Sequence, residues 1–230
     1  MPAPAPPTRS RRWCAPSGGW IRNPARPSTR QPGRTARAPD LILRRDGEGW
    51  LLELNADTTP ALRLRPGDDP RSEAQRQARA TAAALDRRNA TVLTIAAEIV
   101  TRQDAHLRDT ALPLAALTIN DLARAAGVHR STASRVTAAM VMAMPRRTVT
   151  LRALMSAAAP AARRTEDPPS VQAVLHRIGA LIAAEDPRHP LSDAEIARLL
   201  LPEGAALARR TVAKYRTLAG IAPQSGRRKA

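Results

Sequence analysis

The chain contains no phenylalanine, one tyrosine and three tryptophans among 230 residues. Aromatic stacking is the usual grip on single-stranded nucleic acid, so that mode is disfavoured. Its one cysteine, Cys14, excludes an internal disulfide framework and a cysteine zinc site. Four histidines, His106, His129, His176 and His189, stand apart with no i, i+4 pair and read as surface or capping residues rather than metal ligands. No apolar run is long enough to span a membrane. There is no paired-carboxylate, Ser/His/Asp, glycine-loop or metal-cluster pattern, so neither an enzyme, a cofactor nor a metal is expected. Asp193 and Glu195 read as acids in the first turn of a helix.

Acid is scarce as well. Against 20 aspartates and glutamates stand 37 basic residues, for a net charge of +17, and the pI is near 11.7. Only Lys214 and Lys229 are lysines; the other basic residues are arginines. Arginine suits planar, bidentate contact to phosphate or guanine, although a GC-rich genome produces the same bias. Either way the sign of the charge points to a polyanion, with DNA or RNA first.

The organisation expected along the chain is mainly α. Residues 1–40 hold nine prolines, eight arginines and one acid, Asp40, and read as a disordered basic tail. Residues 41–69 open with a short β-hairpin, Leu41–Arg45 and Trp50–Leu54 around Asp46-Gly47-Glu48-Gly49. Two strands are marginal alone, so the hairpin should pack on something else. Residues 70–156 form a long helix and a helix-turn-helix. The helix runs over 71–107, with Leu85, Val92, Ile95, Ile99 and Val100 on one side; a break near 86–89 is the alternative. Thr118 and Asp121 open the helix-turn-helix, with Leu122, Ala123 and Ala126 facing inward. Gly127 makes the turn and Val128 plugs it, while Ala133 and Val136 anchor the second helix. Its outward residues are His129, Arg130, Ser131, Ser134 and Arg135. From residue 110 to 165 there are eight arginines and one acid.

Residues 157–170 read as a linker and 171–225 as a small three-helix domain containing a second helix-turn-helix; 226–230 is a basic tail. Val171, Val174, Leu175, Ile178, Leu181 and Ile182 stripe the first helix. Ser192 and Glu195 form a capping box for the second, with Ile196, Leu199 and Leu200 as its core face. The third carries Ala208-Arg209-Arg210-Thr211-Val212-Ala213-Lys214-Tyr215-Arg216. Val212, Tyr215 and Leu218 form its expected docking stripe, leaving the cations to meet phosphates and guanines in a duplex groove.

That nine-residue segment resembles the C-terminal signature box of the sigma-54 family, the enhancer-dependent sigma factors of bacterial RNA polymerase. The likeness extends over roughly residues 41–225. Asp40–Arg45 and Trp50–Asn55 resemble the tail of the core-polymerase-binding domain. Leu85–Thr91 and Ile99–Gln103 resemble the family's extra-long helix, and Leu117–Val136 its helix-turn-helix. Ala184–Arg188, Pro190–Asp193 and Gly220-Ile221 frame the final domain as in the family.

The resemblance implies a factor that binds promoter DNA and directs core RNA polymerase in a bacterial, cytoplasmic, nucleoid-associated setting. Arg209, Arg210, Thr211, Lys214 and Arg216 are implied at a GG element near minus 24. His129, Arg130, Ser131, Ser134 and Arg135 are implied at a GC element near minus 12. The chain departs from the family in three places. Arg130 stands where the family has glutamate, Arg147 where it has glycine, and Leu151-Arg152-Ala153-Leu154-Met155-Ser156 where it has Leu-Lys-Tyr-Phe-Phe-Ser. Nothing resembles the family's glutamine- and leucine-rich activator-receiving region, so response to an activator ATPase is doubtful; most of the core-polymerase-binding domain is missing too, so polymerase docking is weakened. A truncated competitor that occupies such promoters without recruiting polymerase is the alternative. A general arginine-rich RNA- or ribosome-associated protein, binding with little sequence preference, ranks below both.

Overall fold

A computed structural model describes residues 11–13, 37–59, 62, 72–161 and 168–228. The expectation for residues 1–40 therefore falls mostly outside the described residues. Within it, Arg11–Trp13 is a strand, β1.

The expected hairpin is present as β2 (Leu41–Asp46) and β3 (Gly49–Leu54). Asp46 pairs with Gly49 across a two-residue turn, in which Gly47 takes a φ of 57° that favours glycine. Arg45 stands opposite Trp50 and lies 5.7 Å from its ring centre. What the hairpin pairs with is another hairpin, far along the chain: β4 (Val141–Ala143) and β5 (Thr148–Thr150). β2 runs parallel to β4, and the sheet order is β1-β3-β2-β4-β5. Asp40 fastens the junction, one carboxylate oxygen accepting from Val141 N–H at 2.9 Å and its carbonyl from Asn55 N–H at 2.9 Å. Leu41, Leu43, Trp50, Leu52 and Met142 make the buried side of the sheet.

The long helix, α1, spans Glu73–Arg102 as one element of 30 residues, with no break at 86–89. Its buried residues, Val92, Ile95, Ala96, Ile99 and Val100, all lie in the C-terminal half. It ends before the expected residue 107, and α2 (Asp104–Arg108) follows as a separate turn. Gln103 sits at the break. Its buried side-chain amide donates to Ala115 C=O at 3.1 Å and accepts from Ala115 N–H at 2.8 Å, satisfying both backbone polar groups of Ala115.

Contacts group the chain into two compact units that do not follow sequence order. The first takes residues up to Thr101 together with Ile119–Leu154, and the second takes Arg102–Thr118 with Met155 onward. In the first, α3 (Ile119–Ala125) and α4 (Arg130–Ala139) form the helix-turn-helix, and a 3-10 turn at Leu151–Leu154 closes it. In the second, the stretch 157–170 holds structure at its two ends, while 162–167 is outside the described residues. Leu117 N–H donates to Ser156 C=O at 2.8 Å, the Ser170 hydroxyl donates to Leu114 C=O, and Ala159 is buried. Three helices complete this unit: α5 (Val171–Ala183), α6 (Asp193–Leu200) and α7 (Arg209–Leu218), followed by a final turn, α8 (Gln224–Arg227). Their core is Ala159, Val174, Ile178, Ile196, Leu200, Ala205, Leu207 and Val212.

Among the described residues no helix is long and apolar enough to cross a membrane. Nor does any group of three or more His, Cys, Asp or Glu there suit a metal ion.

Candidate nucleic-acid interface

In the second unit the helix-turn-helix is α6 and α7. Ser192 caps α6 through a bond from Glu195 N–H at 3.2 Å, and the Glu195 carboxylate accepts Ser192 N–H at 2.7 Å, the reciprocal capping box expected. Hydrogen bonding from the Ser192 side chain first, and its backbone N–H second, holds the Glu195 carboxyl below the usual glutamate range, with Arg198 adding a smaller pull. Ile196 and Leu200 are buried, but Leu199 is 45% exposed and is not part of the core face.

α7 separates its cations. Arg209, Arg210 and Lys214 are exposed, and Thr211 and Ala213 are half-exposed between them. Ala208 occupies the N-cap and makes no side-chain cap bond, and no acid lies in the first turn. The helix thus opens with two cations at the positive end of its dipole, an arrangement that costs local stability and leaves an uncapped, strongly electropositive end.

Arg216 behaves otherwise. Its side chain is 8% exposed, and Nε donates to the Asp193 carboxylate at 2.9 Å. Nη1 donates to Ile221 C=O at 2.7 Å, and Nη2 reaches the second Asp193 oxygen at 3.5 Å. Arg216 is therefore a tie between α7, the start of α6 and the following turn, and it does not share the outward face with Arg209, Arg210 and Lys214. The docking stripe shifts with it. Val212 is buried and Tyr215 packs on the core, but Leu218 is 66% exposed. Helix geometry explains both corrections: at about 100° per residue, position 216 lies about 40° from Val212, whereas 218 lies about 120° away.

A second tie was not signalled by sequence pattern. Arg227, in the expected basic tail, lies 3.3 Å from the Glu185 carboxylate with both side chains at least nine-tenths buried. It also donates to Leu191 C=O at 2.6 Å. Gln224 donates to Pro190 C=O at 2.8 Å, so α8 closes over the loop before α6.

In the first unit α3 and α4 meet around Leu122, Ala123, Ala133 and Thr137, all buried. Gly127 has a φ of 62°, and Val128 N–H returns to Ala123 C=O at 3.0 Å. His129 is the N-cap of α4: its Nδ1 accepts from Ser131 N–H at 3.2 Å and lies 2.8 Å from the Ser131 hydroxyl. Arg130 and Arg135 are exposed, and Ser131 and Ser134 half-exposed. The structure thus places all five in the N-terminal part of α4, exposed or half-exposed, and gives His129 a capping role as well.

Residues 69–229 match the model for the sigma-54 DNA-binding domain. The chain belongs to this sigma-54 family. It is 38% identical over 204 residues to the RNA polymerase sigma-54 factor of Azotobacter vinelandii, which covers 83% of this chain and 40% of that protein. It is likewise 38% identical over 203 residues to the sigma-54 factor of Rhodobacter capsulatus, covering 84% of this chain and 47% of the relative. The chain therefore spans less than half the length of these curated relatives. The crystal structure of Aquifex aeolicus sigmaN bound to promoter DNA superposes with a TM-score of 0.66 at 26% identity, covering 85% of this chain and 62% of that one.

The departures from the sigma-54 pattern are accommodated locally. Arg130 is exposed in the first turn of α4. Arg147 is exposed in the β4–β5 turn, and no non-glycine residue among those described has a positive φ, so the turn does not need the family's glycine. Of the three lost aromatics, Ala153 is exposed and Met155 half-buried, while Leu154 is fully buried beside Leu151. The loss therefore bears on packing at two positions and not three.

Proposed function

We propose that this sigma-54 family chain binds duplex promoter DNA through two helix-turn-helix faces and directs core RNA polymerase to such promoters in the bacterial cytoplasm. The observation that carries the reading is the outward face of α7, where Arg209, Arg210 and Lys214 are exposed around an uncapped helix start. Guanidinium forks match the O6 and N7 acceptors of guanine, and each good pair contributes about 1–3 kcal/mol of discrimination. Arg209, Arg210, Thr211 and Lys214 are assigned to a GG element near minus 24. His129, Arg130, Ser131, Ser134 and Arg135 are assigned to a GC element near minus 12, with His129 shaping the helix start. Arg216 supports α7 from behind and contacts no base.

The test is a mobility-shift titration with a duplex carrying both boxes about one helical turn apart, against a scrambled duplex of equal length. Tighter binding to the first, lost at the GG box in Arg209→Ala, is the expected result; equal affinity for the two contradicts the reading. Polymerase delivery is tested separately, by co-purification with core enzyme. Promoter preference without that association would make the chain a competitor at such promoters.

A further inference from the structure

The second helices of the two helix-turn-helix pairs match position by position, although they belong to different units. α4 and α7 are each 10 residues long, and each follows an N-cap in extended backbone: His129 at φ −66°, ψ 146°, and Ala208 at φ −69°, ψ 150°. Counted from that cap, the order of burial is the same at every place but the second, where Ser131 is half-exposed and Arg210 exposed. Ala133 and Val212 are buried at the fourth place, Thr137 and Arg216 at the eighth. Ser134 and Ala213, both small, are half-exposed at the fifth, and Arg135 and Lys214 are exposed cations at the sixth. Identity of residue is kept only at the third place, Thr132 and Thr211, and at the first, Arg130 and Arg209.

Folding does not account for Arg130. It is exposed, and it opens a helix at the end where the dipole disfavours a cation. α3, β5 and the 3-10 turn pack on α4; of these only α3 carries an acid, Asp121, which has a partner of its own. Asp46 and Glu48 of the β2–β3 turn also have partners, and they belong to the sheet, whose strand β4 follows the opposite end of α4. Contact with a base is in any case decided by hydrogen-bond geometry and not by net charge. Two guanidinium N–H groups match guanine O6 and N7, whereas a carboxylate in the same place accepts from cytosine N4. Arginine and glutamate at one position therefore choose opposite orientations of a G·C pair. Ser134, about 40° round the helix from Arg130, is small and leaves room for a base edge beside the fork.

We propose that Arg130 is a specificity-determining residue: it gives α4 the guanine-reading start of α7, and it fixes which strand of one G·C pair in the downstream element carries the guanine. The assignment rests on the duplex-DNA reading of α4. Restoring the glutamate of the family pattern would favour the inverted pair. The alternative is that Arg130 meets only a phosphate and adds affinity for any sequence.

The experiment uses the full chain and fluorescence anisotropy at one salt concentration. Its duplexes are the two-box duplex, a scrambled one of equal length, and a set in which each base pair of the downstream element is inverted in turn. Wild type is compared with Arg130→Ala and Arg130→Glu. An acid suits the start of a helix, so thermal unfolding should show Arg130→Glu no less stable than wild type. Inverting one pair should weaken wild type about tenfold. Arg130→Ala should be indifferent to that inversion while keeping its other preferences, and Arg130→Glu should prefer the inverted pair. If Arg130→Ala keeps every preference, or loses affinity equally on all duplexes, the assignment is overturned while the promoter reading stands. An Arg130→Glu variant with the wild-type preference overturns it as well. Wild type that binds the two-box and scrambled duplexes equally overturns the promoter reading and Arg130's role together.

Discussion

The two helix-turn-helix modules solve the same problem with different supports. The α3–α4 pair belongs to a unit with a five-stranded sheet, and α4 begins on a side-chain cap from His129. The α6–α7 pair has a small apolar core, and it adds the Arg216–Asp193 and Arg227–Glu185 ion pairs to hold the far end of α7 and the closing turn. In the second module the most cation-rich helix is left without a cap at the end where Arg209 and Arg210 project. What differs is where stability is held relative to the exposed charge: in a capped helix start and sheet around α4, and behind and beyond the helix start in α7.

Removing core side chains tests this contrast most severely. Ile178→Ala in the second unit should destabilise it by about 2–5 kcal/mol, enough to unfold a module of this size. The same change at Ile99 should leave the first unit's sheet partly protected in hydrogen exchange. Equal, global loss of protection in both variants would break the distinction.

Next in size is Arg216→Ala, which leaves the Asp193 carboxylate without its partner in a site where that side chain is 18% exposed. Breaking such a buried pair costs about 3 kcal/mol, read as a lower melting temperature. DNA preference should persist at temperatures where the variant is folded. Arg216→Lys should recover only part of the loss, because an ammonium cannot span both Asp193 and Ile221 C=O as the guanidinium does.

Smaller still is the effect at the α6 cap. Ser192→Ala should cost about 1 kcal/mol in chemical denaturation. Because the folded Glu195 carboxyl titrates below its ordinary value of 4.5, its contribution is fully present above that pH. It is lost as pH falls through the lower folded value. Wild type should therefore lose stability on acidification that Glu195→Gln does not, and parallel acid profiles would remove the capping box from the account.

The sequence made local features legible and distant ones not. The Gly127 turn, the Ser192–Glu195 box and the β2–β3 hairpin each lie within a few residues, where turn chemistry and spacing suffice. β4 and β5 were missed because Val141-Met142-Ala143 shows no alternating polarity and its partner, β2, lies about a hundred residues earlier. Arg216 was placed with the other cations because an arginine's destination depends on whether an acid waits for it. Asp193 lies 23 residues away and reads by itself as an ordinary first-turn acid. Gln103 is the same case: a neutral side chain whose role exists only once Ala115 is beside it.

The most direct test of the division within α7 is the affinity of Arg209→Ala and Arg216→Ala for the two-box duplex, measured at one salt concentration and at a temperature where both variants are folded. Arg209→Ala should bind about tenfold or more weakly, the equivalent of one lost guanine fork, while Arg216→Ala binds as wild type does. The opposite outcome, with Arg216→Ala losing the preference for the GG box and Arg209→Ala keeping it, would contradict the claim that the outward cations read DNA and the inward one holds the fold.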